Sequence, residues 1–487
     1  MKLLKTLPWQ ADSISHLYLS LTNATKESLY GFIWERNSPR GLQEEEKQSA
    51  RFSYLGLLPK KLQIISTHTN TDPFAVLGEE WSEHKSHSWI PGGPIESPII
   101  FAALSYDCAQ FVEPTAHVPQ HAEDPLLVVV HPSLVLIGDK LQKCIYAYGL
   151  DDESADGNQI AWILEVIENL IEEESHQEAE SATYVPKAQL PLPDYNADSV
   201  VALEGIVKSL GGYSRYNEQK FSELVHKAKK HIIAGDVFQV VLSNEIVIPS
   251  PLNLAMAAVF LAEINPSPFH FSLILPELTL TGASPEVMLN ATPHKSDDRS
   301  WDVYMRPIAG TYPSEIRHNM ADIRSDIKEQ AEHIMLVDHA RNDIGRSART
   351  GTVKVQELLC VEHYQNVSHL VSHVSGHLRQ EVSPIEALRA CFPIATLAGT
   401  PKVRAMQIIA DLEQRPRGFF GGSVLFRDPW GHMSSTVIIR SLVSRSGITA
   451  ISVGAGIVYD SQPEREYREC LWKAAPALAA CCHRGTL

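Results

Sequence analysis

Residues 221–248 read FSELVHKAKKHIIAGDVFQVVLSNEIVI. Apolar residues return at helical spacing through the first half and Gly235 closes that segment, which reads as an amphipathic helix; VFQVVLSNEIVI follows as a strand. The same texture continues toward the C-terminus. FHFSLILPELTLTG (269–282) is strand-like, DIKEQAEHIMLVDHARNDI (326–344) helical, STVIIRSLV (435–443) and ITAISVGAGIVY (448–459) strand-like, and a last helix starts at about Pro463. On the N-terminal side, LYGFIW, ARFSYLGLL, SPIIFAALSY, LLVVVHPSLVLIG and CIYAYG are short strand-like runs between polar turns. Several short strands with few alternating βαβ units predict an α+β fold rather than a doubly wound sheet. No segment repeats at a fixed period, which excludes a solenoid or propeller.

The chain has 487 residues, 44% of them apolar and 21% charged, enough for a substantial core and unlike a disordered or coiled-coil protein. Composition divides it into an N-terminal α+β region over 1–171, an acidic and then proline-rich linker over 172–212, and a denser C-terminal domain over 213–487. With 42 Lys plus Arg against 58 Asp plus Glu, the formal charge of -16 gives no attraction to nucleic acid or to an anionic membrane. An anionic substrate therefore needs a local basic pocket. No apolar run reaches the ~20 residues of a membrane span, and the N-terminus lacks a secretory signal pattern. The 7 cysteines are scattered without CxxC spacing, as expected for reduced thiols in the cytoplasm.

Glu329 and Glu332 stand on one face of a predicted helix, and Glu466, Glu469 and Lys473 form one stripe on the last helix. Glutamates from two helices can surround a hard divalent cation such as magnesium, although at this spacing they are ordinarily solvated surface charge. Gly454 and Gly456 interrupt a β-branched run, where glycine weakens a strand unless a backbone or ligand comes close; main-chain N–H groups there can bind a carboxylate. Arg440 reads as a strand residue. HExxH, GxSxG and P-loop patterns are all missing, which argues against a zinc hydrolase, a serine hydrolase and a P-loop NTPase.

Ten strings in order over about residues 220–480 carry a resemblance: GDVFQVVLS, INPSPFHF, ASPEVML, RPIAGTYP, KEQAEHIMLVDHARNDIGR, NVSHLVSHVSG, FPIATLAGTPKVRAM, RGFFGGS, VIIRS and VGAGIVYDSQPEREYRECLWK. The chain resembles the chorismate-utilising enzymes, most closely the large subunit of anthranilate synthases. That resemblance implies two β-sheets with surrounding helices enclosing a central cleft. It implies Mg²⁺ held by Glu332 and Glu469, with Glu329 and Glu466 bonding metal-bound water. Lys473 and the N–H groups of Gly454, Ala455 and Gly456 would help bind the ring carboxylate of chorismate, and Arg440 the enolpyruvyl carboxylate. Glu286 corresponds to a general acid for departure of the C4 hydroxyl, His369 to a histidine near the enolpyruvyl group, and Thr396 to a substrate-contacting threonine. The resemblance also implies that Ala309, Gly310 and Thr311 of the PIAGT string would line the substrate.

Two positions bear on the nucleophile. Water-adding relatives place a lysine base where this chain has Gln239, whose amide cannot deprotonate water. One type of aminodeoxychorismate synthase places a nucleophilic lysine at Ala309. The pair implies ammonia addition giving anthranilate and pyruvate in tryptophan biosynthesis, with ammonia from a separate glutamine amidotransferase subunit. The alternatives are an aminodeoxychorismate or aminodeoxyisochorismate synthase component that retains the enolpyruvyl group, and a catalytically weak chorismate-binding subunit. Tyr312, Thr400 and Phe420 depart from the family's usual residues. Of the feedback site for tryptophan only INPSPFHF matches well, FIWERN placing Arg36 where a serine falls.

Overall fold

The computed structural model describes residues 1–9, 13–26, 29–37, 50–82, 89–121, 124–149, 155–176, 197–249, 254–265, 267–294, 300–313, 327–363 and 367–482. Among these residues are eleven α-helices and twenty strands, all of whose pairings are antiparallel. The α+β expectation holds, and the strands form one hydrogen-bonded network with two arms.

The long antiparallel pair of Phe52–Ser66 and Pro125–Asp139 joins the arms. One arm leaves through Gly31–Arg36, Phe269–Ile274, Leu278–Ser284, Ser441–Arg445 and Ile448–Ile457 to Gln239–Ile248. The other leaves through Ile100–Leu104, Ser423–Arg427, Met433–Val437, Val287–Pro293 and Trp301–Arg306 to Val367–His377. Strands from before residue 150 therefore pair with strands beyond residue 260 in both arms.

An aromatic layer fills the space between the arms: Phe32, Trp34, Phe52, Tyr54, Phe101, Phe269, Phe271 and Phe426 are all buried within one cluster. Phe32 stacks on Phe101 at 4.9 Å and Tyr54 meets Phe426 at 4.6 Å, contacts that link opposite sheets. Alternation sends the neighbouring residues of each strand outward, where helices cover them. Helices Ile14–Thr25 and Ala155–His176 pack on one outer face, Glu218–Ile233 and Pro463–Cys482 on a second stretch of it. Pro73–Ser82, Ile327–Gly345 and Pro384–Cys391 cover the other arm. Each large apolar side chain buried this way contributes ~1.5–3 kcal/mol relative to exposure.

Three sequence readings change in detail. The run FHFSLILPELTLTG is a hairpin, with Thr279 opposite Ile274. STVIIRSLV is two strands in different arms, broken at Ile438–Arg440, so Arg440 is a crossing residue with φ 50 rather than a strand residue. Of the linker reading, residues 197–209 form a helix whose Val200, Leu203 and Val207 are buried against the last helix, and the 155–176 helix runs past 172; residues 177–196 lie outside the described set. No described helix is long and apolar enough to cross a membrane.

Candidate active site

The chain passes from one sheet arm to the other at two adjacent places, and charged candidates sit at both. Pro285 and Glu286 separate strand Leu278–Ser284 from Val287–Pro293; Ile438, Ile439 and Arg440 separate Met433–Val437 from Ser441–Arg445. The two crossings are bonded together. Val437 N–H and Thr436 Oγ1 donate to the Glu286 carbonyl at 3.0 and 2.7 Å, and Ala283 N–H donates to the Arg440 carbonyl at 3.2 Å. At the second crossing Ile438 packs into the aromatic core and Ile439 against the helix-covered core of the other arm.

Glu286 is 5% exposed. Burial pushes its carboxyl up to about 7, against the opposing pull of a 2.8 Å hydrogen bond from Thr396 Oγ1 and of the Lys473 charge. Lys473 donates to the Gly454 carbonyl at 2.8 Å and pairs with Glu469 at 2.6 Å, one helical turn away. Glu466 lies half-buried on the same stripe. The helical spacing read from the sequence thus converges on strand Ile448–Ile457.

That strand explains its glycines. Val453, Ala455 and Ile457 are buried in the helix-covered core, so Gly454 and Gly456 present their hydrogens to the opposite face. A Cβ on Gly456 would lie 2.7 Å from Gln239 Nε2, and one on Gly454 would lie 2.9 Å from the Leu242 carbonyl oxygen and 3.3 Å from the Phe420 ring. Pairing with Gln239–Ile248 runs unbroken from Thr449 to Ile457, so the glycines mark close approach, not a bulge. The other edge pairs only through Ile448–Ala450 among the described residues. N–H and C=O of one strand residue share an edge, so the Gly454 N–H faces the side where Lys473 meets its carbonyl.

Among the described residues, Gln239 Oε1 is buried without a hydrogen-bond partner, as is the hydroxyl of Thr400, its cross-strand neighbour. Both oxygens retain the capacity to accept a hydrogen bond.

His369 is buried on strand Val367–His377, opposite Thr311 and Glu362; Glu362 pairs with Arg306. Ala309 pairs with Leu370 on the same sheet arm. Glu332 is half-buried on helix Ile327–Gly345, next to His333, whose Nε2 meets Ser372 Oγ at 2.6 Å. The side chains of Glu329, Gly310 and Thr311 lie outside the described residues. Among those described, Glu332, Glu466 and Glu469 are not gathered into a three-carboxylate cage.

A model for "chorismate binding enzyme" matches residues 42–479. The chain belongs to that family. It is 37% identical to anthranilate synthase component 1 of Thermus thermophilus over 89% of both chains. It is 33% identical to anthranilate synthase component 1 of Saccharomyces cerevisiae, covering 96% of this chain and 93% of that one. The crystal structure of anthranilate synthase component I from Streptococcus pneumoniae superposes with a TM-score of 0.69 at 26% identity, covering 91% of this chain and 95% of that chain.

Family resemblance did not reveal what braces the RGFFGGS loop of this chorismate-binding fold. Arg417 and Glu413, each 1% exposed, pair at 2.6 Å. Arg417 also donates to the Leu397 and Val241 carbonyls, both at 2.7 Å, fixing residues adjacent to Thr396 and within the Gln239 strand. Burial alone would raise the Glu413 carboxyl; Arg417, Arg415 and the Ser243 N–H outweigh it and hold it low. Asp107 accepts the N–H groups of Arg417 and Gly418 at 3.1 and 3.0 Å, while burial pushes it up to about 7. It comes from SYDCAQF, which carries no motif; only a buried, charged partner for the loop's N–H groups explains it.

INPSPFHF and FIWERN do come together. Arg36 lies opposite Phe269, its guanidinium 5.3 Å from the ring centroid and 3.2 Å from the Tyr304 hydroxyl.

Proposed function

We propose that this chain converts chorismate and ammonia into anthranilate and pyruvate. The carrying observation is Glu286: a buried carboxyl with its affinity for protons raised to about 7, placed between Thr396 and Lys473, suits a general acid. In this reading Glu286 gives its proton to the departing C4 hydroxyl, which leaves as water, while ammonia bonds to ring C2. Loss of pyruvate then restores aromaticity. Gln239 and Thr400 offer oxygen acceptors to the ammonia N–H groups, and neither has the basicity to activate water. Ala309 has no amine to attack the ring.

Chorismate is a dianion. Arg440 and Lys473 meet its carboxylates, with the Gly454–Gly456 strand edge, and His369 orients the enolpyruvyl group. Glu332, Glu466 and Glu469, with Glu329, are hard oxygen donors of the kind magnesium takes; that ion keeps several waters and needs only one or two protein carboxylates, so a preassembled cage is not required. When bound, magnesium supplies positive charge for the ring carboxylate. We place the reaction in the cytoplasm and the ammonia source in a separate glutamine amidotransferase subunit. Tryptophan inhibition is no part of the proposal: only half of its sequence pattern is present, and Arg36, where that pattern has a serine, is buried with its guanidinium 5.3 Å from the Phe269 ring centroid.

The test incubates purified protein with chorismate, Mg²⁺ and ammonium, with product analysis by mass spectrometry and fluorescence. Anthranilate with equimolar pyruvate is expected, and Glu286→Gln abolishes turnover while retaining chorismate binding. An aminated product without pyruvate would replace this reading by the aminodeoxychorismate type; full activity of Glu286→Gln would remove the general acid.

A further inference from the structure

At the far end of the second sheet arm, three strands bring two imidazoles and one carboxylate to a point. Strands Val287–Pro293, Trp301–Arg306 and Val367–His377 are adjacent. Asp302 stands on the middle one, directly opposite His377 on one side and Thr292 on the other. His294 follows the end of the first strand, its N–H bonded to the Ser300 carbonyl at 2.9 Å. His294 Nδ1 lies 2.8 and 2.9 Å from the two Asp302 oxygens, and His377 Nδ1 is bonded to Oδ1 of the same carboxylate. The imidazole centroids are 4.8 Å apart with the planes at 63°.

We propose that His294, Asp302 and His377 bind one divalent transition-metal cation of the zinc class. Their ligand atoms lie within 4.8 Å of one another. Ligands around a tetrahedral zinc with bonds of ~2.0–2.1 Å sit roughly 3.4 Å apart, so side-chain rotation closes the site without moving the backbone. Two histidines and one carboxylate form an N,N,O set that favours zinc-like ions over magnesium. A plain pair of surface ion pairs would leave the two imidazoles to diverge. Here both converge on one oxygen, and the backbone N–H of each histidine is held: His294 N–H donates to the Ser300 carbonyl at 2.9 Å and His377 N–H to Thr352 Oγ1 at 3.2 Å. Side-chain exposures of 26%, 37% and 44% leave the point open to entry and to a coordinated water.

The site is distinct from the one described above. His377 is eight residues beyond His369 on one strand, or ~26 Å at ~3.3 Å per residue. The bound ion ties the ends of three strands whose other ends carry Glu286 and His369, and takes no part in the chemistry.

The experiment titrates metal-stripped full-length protein with ZnCl₂ by calorimetry in excess MgCl₂, beside the double variant His294→Asn, His377→Asn and the single variant Asp302→Asn. Wild type is expected to take up one zinc that both variants bind more than ~100-fold more weakly, beyond the ~10–100-fold effect of outer-sphere changes. Co²⁺ is expected to give the visible absorption of a tetrahedral site in wild type alone. Thermal melting without metal checks that the variants are folded, and turnover of chorismate with Mg²⁺ is expected to be unchanged in them. Absence of stoichiometric zinc uptake by wild type, or equal uptake by the folded variants, overturns the proposal.

Discussion

Thr396→Val removes a hydroxyl while keeping the shape of the side chain, and it isolates one of the forces on Glu286. Burial pushes that carboxyl up to about 7, and the 2.8 Å bond from Thr396 Oγ1 opposes burial by favouring the ionised form. A hydrogen bond to a charged acceptor is worth ~1.5–3 kcal/mol. At ~1.4 kcal/mol per unit, its loss raises the carboxyl by ~1–2 further units. The sign is fixed: the variant holds its proton to higher pH. If Glu286 acts as an acid, kcat/KM of wild type declines above about pH 7 as the free enzyme loses that proton, and the decline in Thr396→Val moves up. One unit above the wild-type midpoint, the protonated fraction goes from ~10% to ~50% for a one-unit shift. The assay follows anthranilate fluorescence against pH, with total ammonium adjusted to hold free ammonia constant. Because the proposed reading also sets Thr396 against the substrate, the position of the limb is the readout, not the absolute rate, and Thr396→Ser should keep the wild-type limb. A limb that stays in place or moves to lower pH in Thr396→Val would refute the assignment.

Two other substitutions probe the frame. Gly456→Ala puts a methyl 2.7 Å from Gln239 Nε2, the far end of a flexible chain that can swing aside, so melting temperature should hold within a degree or so while ammonia-dependent kcat/KM falls by about tenfold, ~1.4 kcal/mol. A large loss of stability with normal turnover would contradict this account of the glycine. Arg417→Met strands the buried Glu413 carboxylate, at a cost of ~3–5 kcal/mol. With ~2.1 cal/mol/K per residue over 487 residues, that lowers the midpoint by ~3–5 °C in calorimetry; an unchanged midpoint would mean that the pair does not hold the loop.

The helix Pro463–Cys482 and its Glu466, Glu469 and Lys473 stripe were legible in the sequence because i, i+3 and i+7 spacing is a property of the helix itself. The glycines of SVGAGIV were legible for a similar reason: only a close neighbour justifies them inside a β-branched run, and Gln239 and Phe420 are those neighbours. The break in STVIIRSLV was not. Ile438 and Ile439 are as β-prone as the strands beside them, and what ends the ladder is tertiary: after the rung from Ile438 N–H to the Gly422 carbonyl, Gly421 N–H takes the Ile438 carbonyl in a bulge, both at 2.9 Å, and the Arg440 carbonyl turns to Ala283 N–H of the other arm. The 197–209 helix was hidden by acidic and proline-rich flanks, although Val200, Leu203 and Val207 keep helical spacing. Asp107 could not be found by any local pattern, since its partners lie some three hundred residues away.

The place of the site follows from the topology. Two sheets that share strands must exchange chain somewhere, and each exchange removes a residue from the alternation that commits side chains to one core or the other. Arg440 shows the cost: a non-glycine residue at φ 50 carries ~1–3 kcal/mol of backbone strain, retained because the Ala283 bond to its carbonyl and the Gly421–Ile438–Gly422 bonds leave the crossing no alternative path. Glu286 carries the matching cost in desolvation, visible in its raised proton affinity. Neither expense improves the packing of either arm, and a strand pair that ran straight on would avoid both. In the proposed reading, that paired cost is what the fold retains so that Glu286 and Arg440 can meet one substrate.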